Sequence, residues 1–130
     1  MSAPPFAGKS VALVLGSGGA RGLAHIGVIE HVIALGFDIR YIAGSSMGAV
    51  VGGIYAAGKL DSYAAWARGL QRRDIISLLD LSFGLQGLFK GERIIAELKH
   101  LTGERNIEDL DIGFTAVATD IHEQREVWIN

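Results

Sequence analysis

Two glycine-rich segments, each between an apolar run and a helical stretch, constrain this chain more than any other feature. The first is Gly16-Ser-Gly-Gly-Ala-Arg-Gly22, and it follows the continuous apolar run at residues 10–15. The second is Gly44-Ser-Ser-Met-Gly48, and it follows the apolar run at residues 39–43. Strand, glycine loop, helix and strand make a βαβ unit with a right-handed crossover. The order predicts an α/β fold with a mainly parallel sheet, in which strand 10–15 is buried on both faces.

The second glycine segment has the pattern Gly-x-Ser-x-Gly at a strand-to-helix turn, the context of a nucleophilic serine. Glycine at Gly44 and Gly48 removes Cβ atoms that would collide with neighbouring backbone. Ser46 is expected at the apex in a strained conformation, with its hydroxyl beside a helix N-terminus, which favours developing negative charge. A chain with 18 glycines among 130 residues also produces such patterns by chance, so a turn without chemistry is the alternative.

The first glycine segment has two interpretations. It approximates the Gly-x-Gly-x-x-Gly fingerprint of a dinucleotide-binding Rossmann unit, but Arg21 shifts the match and no acid ends the second strand. Alternatively, the loops after two adjacent parallel strands lie side by side. Gly18 and Gly19 then direct backbone N–H groups at the space above Ser46 and form an oxyanion hole. Arg21 either secures this loop, attracts a phosphate group or is simply solvated.

Further helices and strands are predicted around these loops. The predicted helices span residues 23–35, 47–57, 61–69, 74–81 and 90–101; the predicted later strands span 114–119 and 125–129, joined by a hairpin at 120–124. Asp61 is the expected N-cap of its helix. The helix after Ser46 is rich in Gly and Ala, which predicts tight packing against a sheet or neighbouring helices. Residues 81–89 are apolar and broken by glycine, which indicates a loop on the core or a lid.

Composition limits the classes of function. A folded composition of 130 residues indicates one domain or part of one, with residues 1–9 as a flexible lead-in and 10–130 as the folded part. The net charge of −2 argues against nucleic-acid binding. There is no Cys, and the four His lack metal-ligand spacing, so no metal site is expected.

Residues 1–10 carry no secretory signal, and no apolar run reaches the roughly 18 residues of a membrane span. We expect a cytoplasmic or membrane-associated protein; export of a longer parent protein stays open.

Taken together, the two glycine motifs resemble those of a known family. The stretch Gly16-Ser-Gly-Gly-Ala-Arg-Gly-Leu-Ala-His-Ile-Gly27, paired with Gly44-Ser-Ser-Met-Gly48, is similar to the amino-terminal part of patatin-like phospholipases, especially the bacterial members. The resemblance runs from about Val11 to the end of the chain. It implies a three-layer α/β/α sandwich with a mainly parallel sheet, of which this chain is expected to be an incomplete part.

The resemblance also implies a chemistry. Ser46 would be the nucleophile, with Gly18 and Gly19, next to Ala20 and Arg21, as the oxyanion hole. The substrate would be a phospholipid or other acyl lipid, at a membrane surface or free, and no metal or organic cofactor is implied. The family uses a Ser–Asp dyad whose aspartate is followed by Gly. No Asp precedes a Gly in this sequence, so the base is expected outside this chain, which alone is expected to be inactive.

Three other residues in the sequence are candidates for the base. His122 lies too close to Asp120 in the sequence for a triad, and it is expected in a surface turn. Asp120 ends a predicted strand near the carboxyl edge of the sheet, where Ser46 is also expected. A structural role is expected for it. His25, on the helix after the first glycine loop, is expected to pack or to bind that loop.

A third hypothesis for the function is a non-catalytic fragment that folds only with a partner. An exposed apolar face would favour it.

Overall fold

The computed structural model describes residues 3–16, 18–71 and 87–130, with the backbone alone for 87–94. In the described parts of the chain the strands are β1 (Ser10–Leu15), β2 (Asp38–Ser45), β3 (Gly113–Asp120) and β4 (Arg125–Ile129). The α-helices are α1 (Ala24–Ala34), α2 (Met47–Ala56), α3 (Leu60–Gly69) and α4 (Gly87–Thr102). Short 3-10 helices span Gly19–Leu23 and Ile107–Asp109.

The strands form one sheet in the order β1-β2-β3-β4. The first three are parallel, and β4 returns antiparallel to β3. Leu15 at the end of β1 pairs with Gly44 near the end of β2, so both glycine segments leave the same edge of the sheet side by side. The predicted α/β class and mainly parallel sheet are confirmed.

Helix α2 packs tightly against one face of the sheet because two of its residues have no side chain. A Cβ on Gly52 would lie 2.7 Å from Cγ2 of Ile42, and one on Gly53 would lie 3.2 Å from the ring of Phe114. The glycines therefore let the helix backbone approach the sheet closely, as the Gly- and Ala-rich sequence predicted. Among the described residues, one buried cluster contains Ile42 and Phe114 together with Ile29 of α1 and Tyr63 of α3.

The opposite face of the sheet is open in the described part of the chain. Val14 of β1 is 84% exposed and Trp128 of β4 is 63% exposed, whereas Leu15 is buried. The prediction that β1 is buried on both faces is therefore wrong within the described residues, where only the face of Leu15 is covered. The physical reason is the strand order: right-handed crossovers from β1 to β2 and from β2 to β3 place their helices on the same face.

Most element boundaries lie close to the predicted ones, with two corrections. Asp61 is not an N-cap: α3 begins one residue earlier, Lys59 is its N-cap, and Asp61 lies in the first turn. Helix α4 begins at Gly87 rather than Lys90, so the last part of the predicted apolar loop is helical. The helix predicted at 74–81 and the rest of segment 81–89 fall outside the described residues. Among the described residues, no helix is both long and apolar enough to cross a bilayer.

Part of the predicted lead-in is attached to the fold. The ring of Phe6 stacks on Phe37 with 4.5 Å between centroids. The N–H of Phe6 donates a hydrogen bond to the carbonyl of Leu35, and Pro4 lies against Gly36, which has a φ of 93°. These contacts hold the segment before β1 against the turn that follows α1.

Candidate active site

Ser46 lies at the apex of the turn between β2 and α2 in a conformation that non-glycine residues seldom adopt. Its φ is 51° and its ψ is −126°, and the residue is exposed. Its carbonyl oxygen accepts hydrogen bonds from the N–H groups of Ala49 and Val50, so Ser46 is the N-cap of α2. The strained conformation predicted for Ser46 is confirmed, and its position at the N-terminus of a helix favours negative charge nearby.

The two glycines that flank Ser46 are required by close backbone contacts. A Cβ on Gly44 would lie 2.6 Å from the backbone nitrogen of Ala49. A Cβ on Gly48 would overlap the carbonyl oxygen of Leu15 and lie 2.5 Å from that of Gly16. Gly48 therefore joins the first turn of α2 to the point where the chain leaves β1. The sequence predicted that side chains could not fit here, but it did not identify the contacted atoms.

The first glycine segment forms a tight turn and a 3-10 helix beside α2. Gly18 has a φ of 113° and Gly19 a φ of 52°, which only glycine adopts readily. The N–H of Gly22 donates to the carbonyl of Gly18 at 3.2 Å, and the 3-10 helix contacts α2. Gly18 and Arg21 are exposed, whereas Ala20 is partly buried. The structure thus brings the segment with the four candidate oxyanion-hole residues next to the helix that Ser46 caps.

His25 is bound to the glycine segment rather than free to act on Ser46. Its Nε2 atom lies 2.8 Å from the carbonyl oxygen of Gly16. The histidine is partly buried in the first turn of α1. The sequence predicted either a packed histidine or one bound to the loop, and the hydrogen bond confirms the second alternative.

Tyr63 contacts the residue that follows Ser46, a contact that the sequence analysis did not predict. Its hydroxyl donates to the sulfur of Met47, the residue directly after Ser46, at 4.0 Å. Its ring stacks on Trp66 with 5.4 Å between centroids, and burial raises the pKa of the Tyr63 hydroxyl. Helical spacing could identify Tyr63 as a core residue, but its contact with Met47 depends on how α3 packs on α2.

Asp120 and His122 are held by the β3–β4 hairpin. The Oδ1 atom of Asp120 accepts hydrogen bonds from the N–H groups of His122 (3.0 Å) and Glu123 (3.1 Å). The side chain of Asp120 therefore stabilises the turn, the structural role expected for it, and His122 is an exposed turn residue. Within the described ranges, no group of three or more His, Asp or Glu side chains is placed to hold a metal ion.

The geometry also bears on the dinucleotide interpretation of the first glycine segment. A Rossmann unit needs an acid at the carboxyl end of its second strand, near the glycine loop. Asp38 begins β2 and pairs with Ser10, at the opposite edge of the sheet from Gly16. Its carboxylate forms an ion pair with Arg40 at 2.6 Å. Asp38, the acid nearest to the second strand in the sequence, therefore cannot reach a ribose bound at the first glycine segment.

Comparisons with known proteins agree with this arrangement. Residues 13–129 match the family model described as "Patatin-like phospholipase", which covers both glycine segments and all four strands except the start of β1. This match does not favour nucleotide binding, the alternative interpretation of the first segment.

Several curated proteins are similar over nearly the whole chain. An uncharacterised NTE family protein of Mycobacterium tuberculosis is 53% identical over 118 residues, which are 91% of this chain and 33% of that protein. Patatin-like phospholipase domain-containing protein 7 of Mus musculus is 33% identical over 119 residues, or 88% of this chain and 9% of that protein. Neuropathy target esterase sws of Drosophila persimilis is also 33% identical over 88% of this chain and 8% of that protein. The chain spans a third or less of the length of these relatives.

Proposed function

The chain belongs to the patatin-like phospholipase family, and from this premise we propose that it is part of a serine acyl hydrolase. The proposed substrates are esters of phospholipids or other acyl lipids, taken from a membrane surface. Ser46 is the proposed nucleophile, and the glycine segment next to it forms the oxyanion hole. The names of two relatives, a phospholipase domain protein and an esterase, support lipid-ester hydrolysis in general.

One observation carries the assignment of the nucleophile. Ser46 is an exposed serine with a φ of 51° at a strand-to-helix turn. Such strain costs about 1–3 kcal/mol, and it persists only where the surrounding structure over-determines it. Here Gly44 and Gly48 allow the backbone contacts that impose it. An ordinary turn needs no exposed serine in this conformation, whereas a nucleophile must project beyond the backbone around it.

The proposed reaction is a double displacement at the ester carbonyl. The Ser46 hydroxyl oxygen attacks the carbonyl carbon while a base takes its proton, and the carbonyl oxygen becomes an oxyanion. The backbone N–H groups of Gly18 and Gly19 stabilise that charge, each by about 3–4 kcal/mol as judged from loss of one donor in acyl-transfer enzymes. The alcohol leaves with a proton, and an acyl-enzyme remains on Ser46. Water then attacks the acyl group and releases the fatty acid.

We place the base, an aspartate, in the part of the protein beyond these 130 residues. Within the sequence no Asp is followed by Gly, and the side chain of Asp120 is occupied by the hairpin turn. A serine hydroxyl is a weak nucleophile until a base accepts its proton. The chain alone is therefore expected to be inactive, and the full-length protein is the form to assay.

A fluorophosphonate probe tests the nucleophile directly, because it reacts with activated serines. In the full-length protein, the probe should label a single peptide that contains Ser46, and Ser46→Ala should abolish both labelling and ester hydrolysis. Ser45→Ala is the matched control, since it removes the neighbouring hydroxyl and leaves the proposed nucleophile in place. Equal labelling of wild type and Ser46→Ala would refute the assignment.

A further inference from the structure

The carbonyl group of Gly16 marks the point where the chain leaves β1 and enters the glycine segment. It accepts a hydrogen bond of 2.8 Å from Nε2 of His25, nine residues later. A carbonyl oxygen only accepts, so Nε2 donates its proton in this bond. The bond spans the segment: one end is its first residue, and the other is in the first turn of α1.

The same carbonyl touches the helix that carries the nucleophile. The oxygen of Gly16 lies 2.5 Å from the position that a Cβ on Gly48 would occupy, so the carbonyl packs directly on the Gly48 backbone. Gly48 is two residues after Ser46, in the first turn of α2. The carbonyl is therefore held from two sides, by His25 of α1 and by Gly48 of α2.

The glycine segment needs an external anchor. Gly18 and Gly19 both have positive φ, and glycine has the largest conformational freedom of all residues. The bond from the N–H of Gly22 to the carbonyl of Gly18 closes the turn, but it joins two atoms of the same segment. Oxyanion donors act only within about 2.7–3.1 Å of the developing charge, so a small displacement of the segment lowers the rate.

We propose that His25 is a positioning residue that keeps the glycine segment in register with Ser46. It acts through the carbonyl of Gly16 and touches no substrate. This inference rests on the function proposed above, because it assigns to the segment the N–H groups that stabilise the oxyanion. A positioning role affects the transition state more than substrate binding, and it needs only a donor at the Nε2 position.

Matched substitutions in the full-length protein separate positioning from general stability. His25→Leu removes the donor at similar volume. His25→Gln places an amide N–H close to the former Nε2, and His25→Asn is one methylene too short to do so. His31→Leu is the control, because it makes the same change at an exposed position of the same helix. For each variant, kcat and KM are measured with p-nitrophenyl butyrate, and hydrogen exchange is measured on the peptide that covers residues 18–22.

We expect kcat of His25→Leu to fall about 10- to 100-fold with KM changed less than about twofold, as for a misplaced transition-state contact. His25→Gln should recover most of the rate, and His25→Asn should not. Amide exchange at residues 18–22 should be faster in His25→Leu and unchanged in His31→Leu. A wild-type kcat in His25→Leu would overturn the inference, and so would equal rates for the Gln and Asn variants.

The exchange measurement distinguishes failure of the proposed function from failure of the proposed role of His25. If hydrolysis persists in Ser46→Ala, the proposed function fails, and the exchange data still decide whether His25 holds the segment. If Ser46 is labelled and required but exchange at residues 18–22 does not change in His25→Leu, only the role of His25 fails. Should His25→Leu not fold, the comparison of His25→Gln with His25→Asn carries the same test.

Discussion

The Cα atom of Gly48, in the first turn of α2, lies so close to the carbonyl oxygen of Leu15 that a methyl group at position 48 would overlap it. This carbonyl is a backbone group at the end of the pairing between β1 and β2, so it cannot rotate away as a side chain could. This contact fixes how the turn that carries Ser46 packs on the first glycine segment. It is also the contact that a single substitution can test most directly.

Gly48→Ala should therefore lower the free energy of unfolding by about 1–3 kcal/mol or more, the usual cost of overpacking. Gly27→Ala is the matched control: Gly27 lies in α1, and a Cβ there meets nothing within 4 Å. That variant should gain roughly 0.5–1 kcal/mol, because alanine is the better helix former. Urea unfolding measures both changes, and a neutral Gly48→Ala would contradict the packing described.

The positive φ of Ser46 predicts an opposition between stability and activity. Ser46→Gly relieves the strain, since glycine populates such conformations readily, whereas Ser46→Ala retains it. The glycine variant should be more stable than the alanine variant by about 1 kcal/mol, although glycine loses more entropy on folding. Both variants should be inactive. Thermal unfolding of the two proteins is the measurement, and a less stable glycine variant would show that Ser46 is not strained.

A hydrogen bond across the open face of the sheet joins Tyr41 to Thr115. The two hydroxyl oxygens are 2.5 Å apart, Thr115 is buried, and the ring of Tyr41 covers Gly113. Tyr41→Phe should lower the free energy of unfolding by about 1–3 kcal/mol, because it leaves the buried hydroxyl of Thr115 without its partner. In a Thr115→Val background the same substitution should cost much less. A double-mutant cycle by urea unfolding gives the coupling, and additive effects would exclude the bond.

Burial of Tyr63 predicts a dependence of stability on alkaline pH. Burial raises the pKa of its hydroxyl above the ordinary value of 10.0, so the folded state keeps a proton that the unfolded state loses. The corresponding stability is present in full below pH 10 and is lost as the pH rises through the raised pKa. The free energy of unfolding should therefore fall less steeply above that pH in Tyr63→Phe than in wild type. Parallel slopes for the two proteins would contradict this prediction.

Much of the fold follows from patterns that are local in the chain. Strand β1, helix α2 and strand β4 lie within one residue of their predicted bounds, because apolar runs and glycine turns encode them directly. The strain at Ser46 could also be predicted, since a Gly-x-Ser-x-Gly turn leaves few backbone conformations. The N-cap of α3 could not, because an acid in the first turn of a helix resembles a capping residue in the sequence.

The amino-acid sequence by itself determined the order of the elements and the position of two glycine turns at one edge of a parallel sheet. It could do so because turn chemistry and hydrophobic period act over a few residues. Only the tertiary structure decided that one face of β1 is covered, that His25 binds the carbonyl of Gly16, and that Tyr41 meets Thr115. Such partners are chosen by how helices and strands pack, and tyrosine and threonine 74 residues apart carry no local signal of their contact.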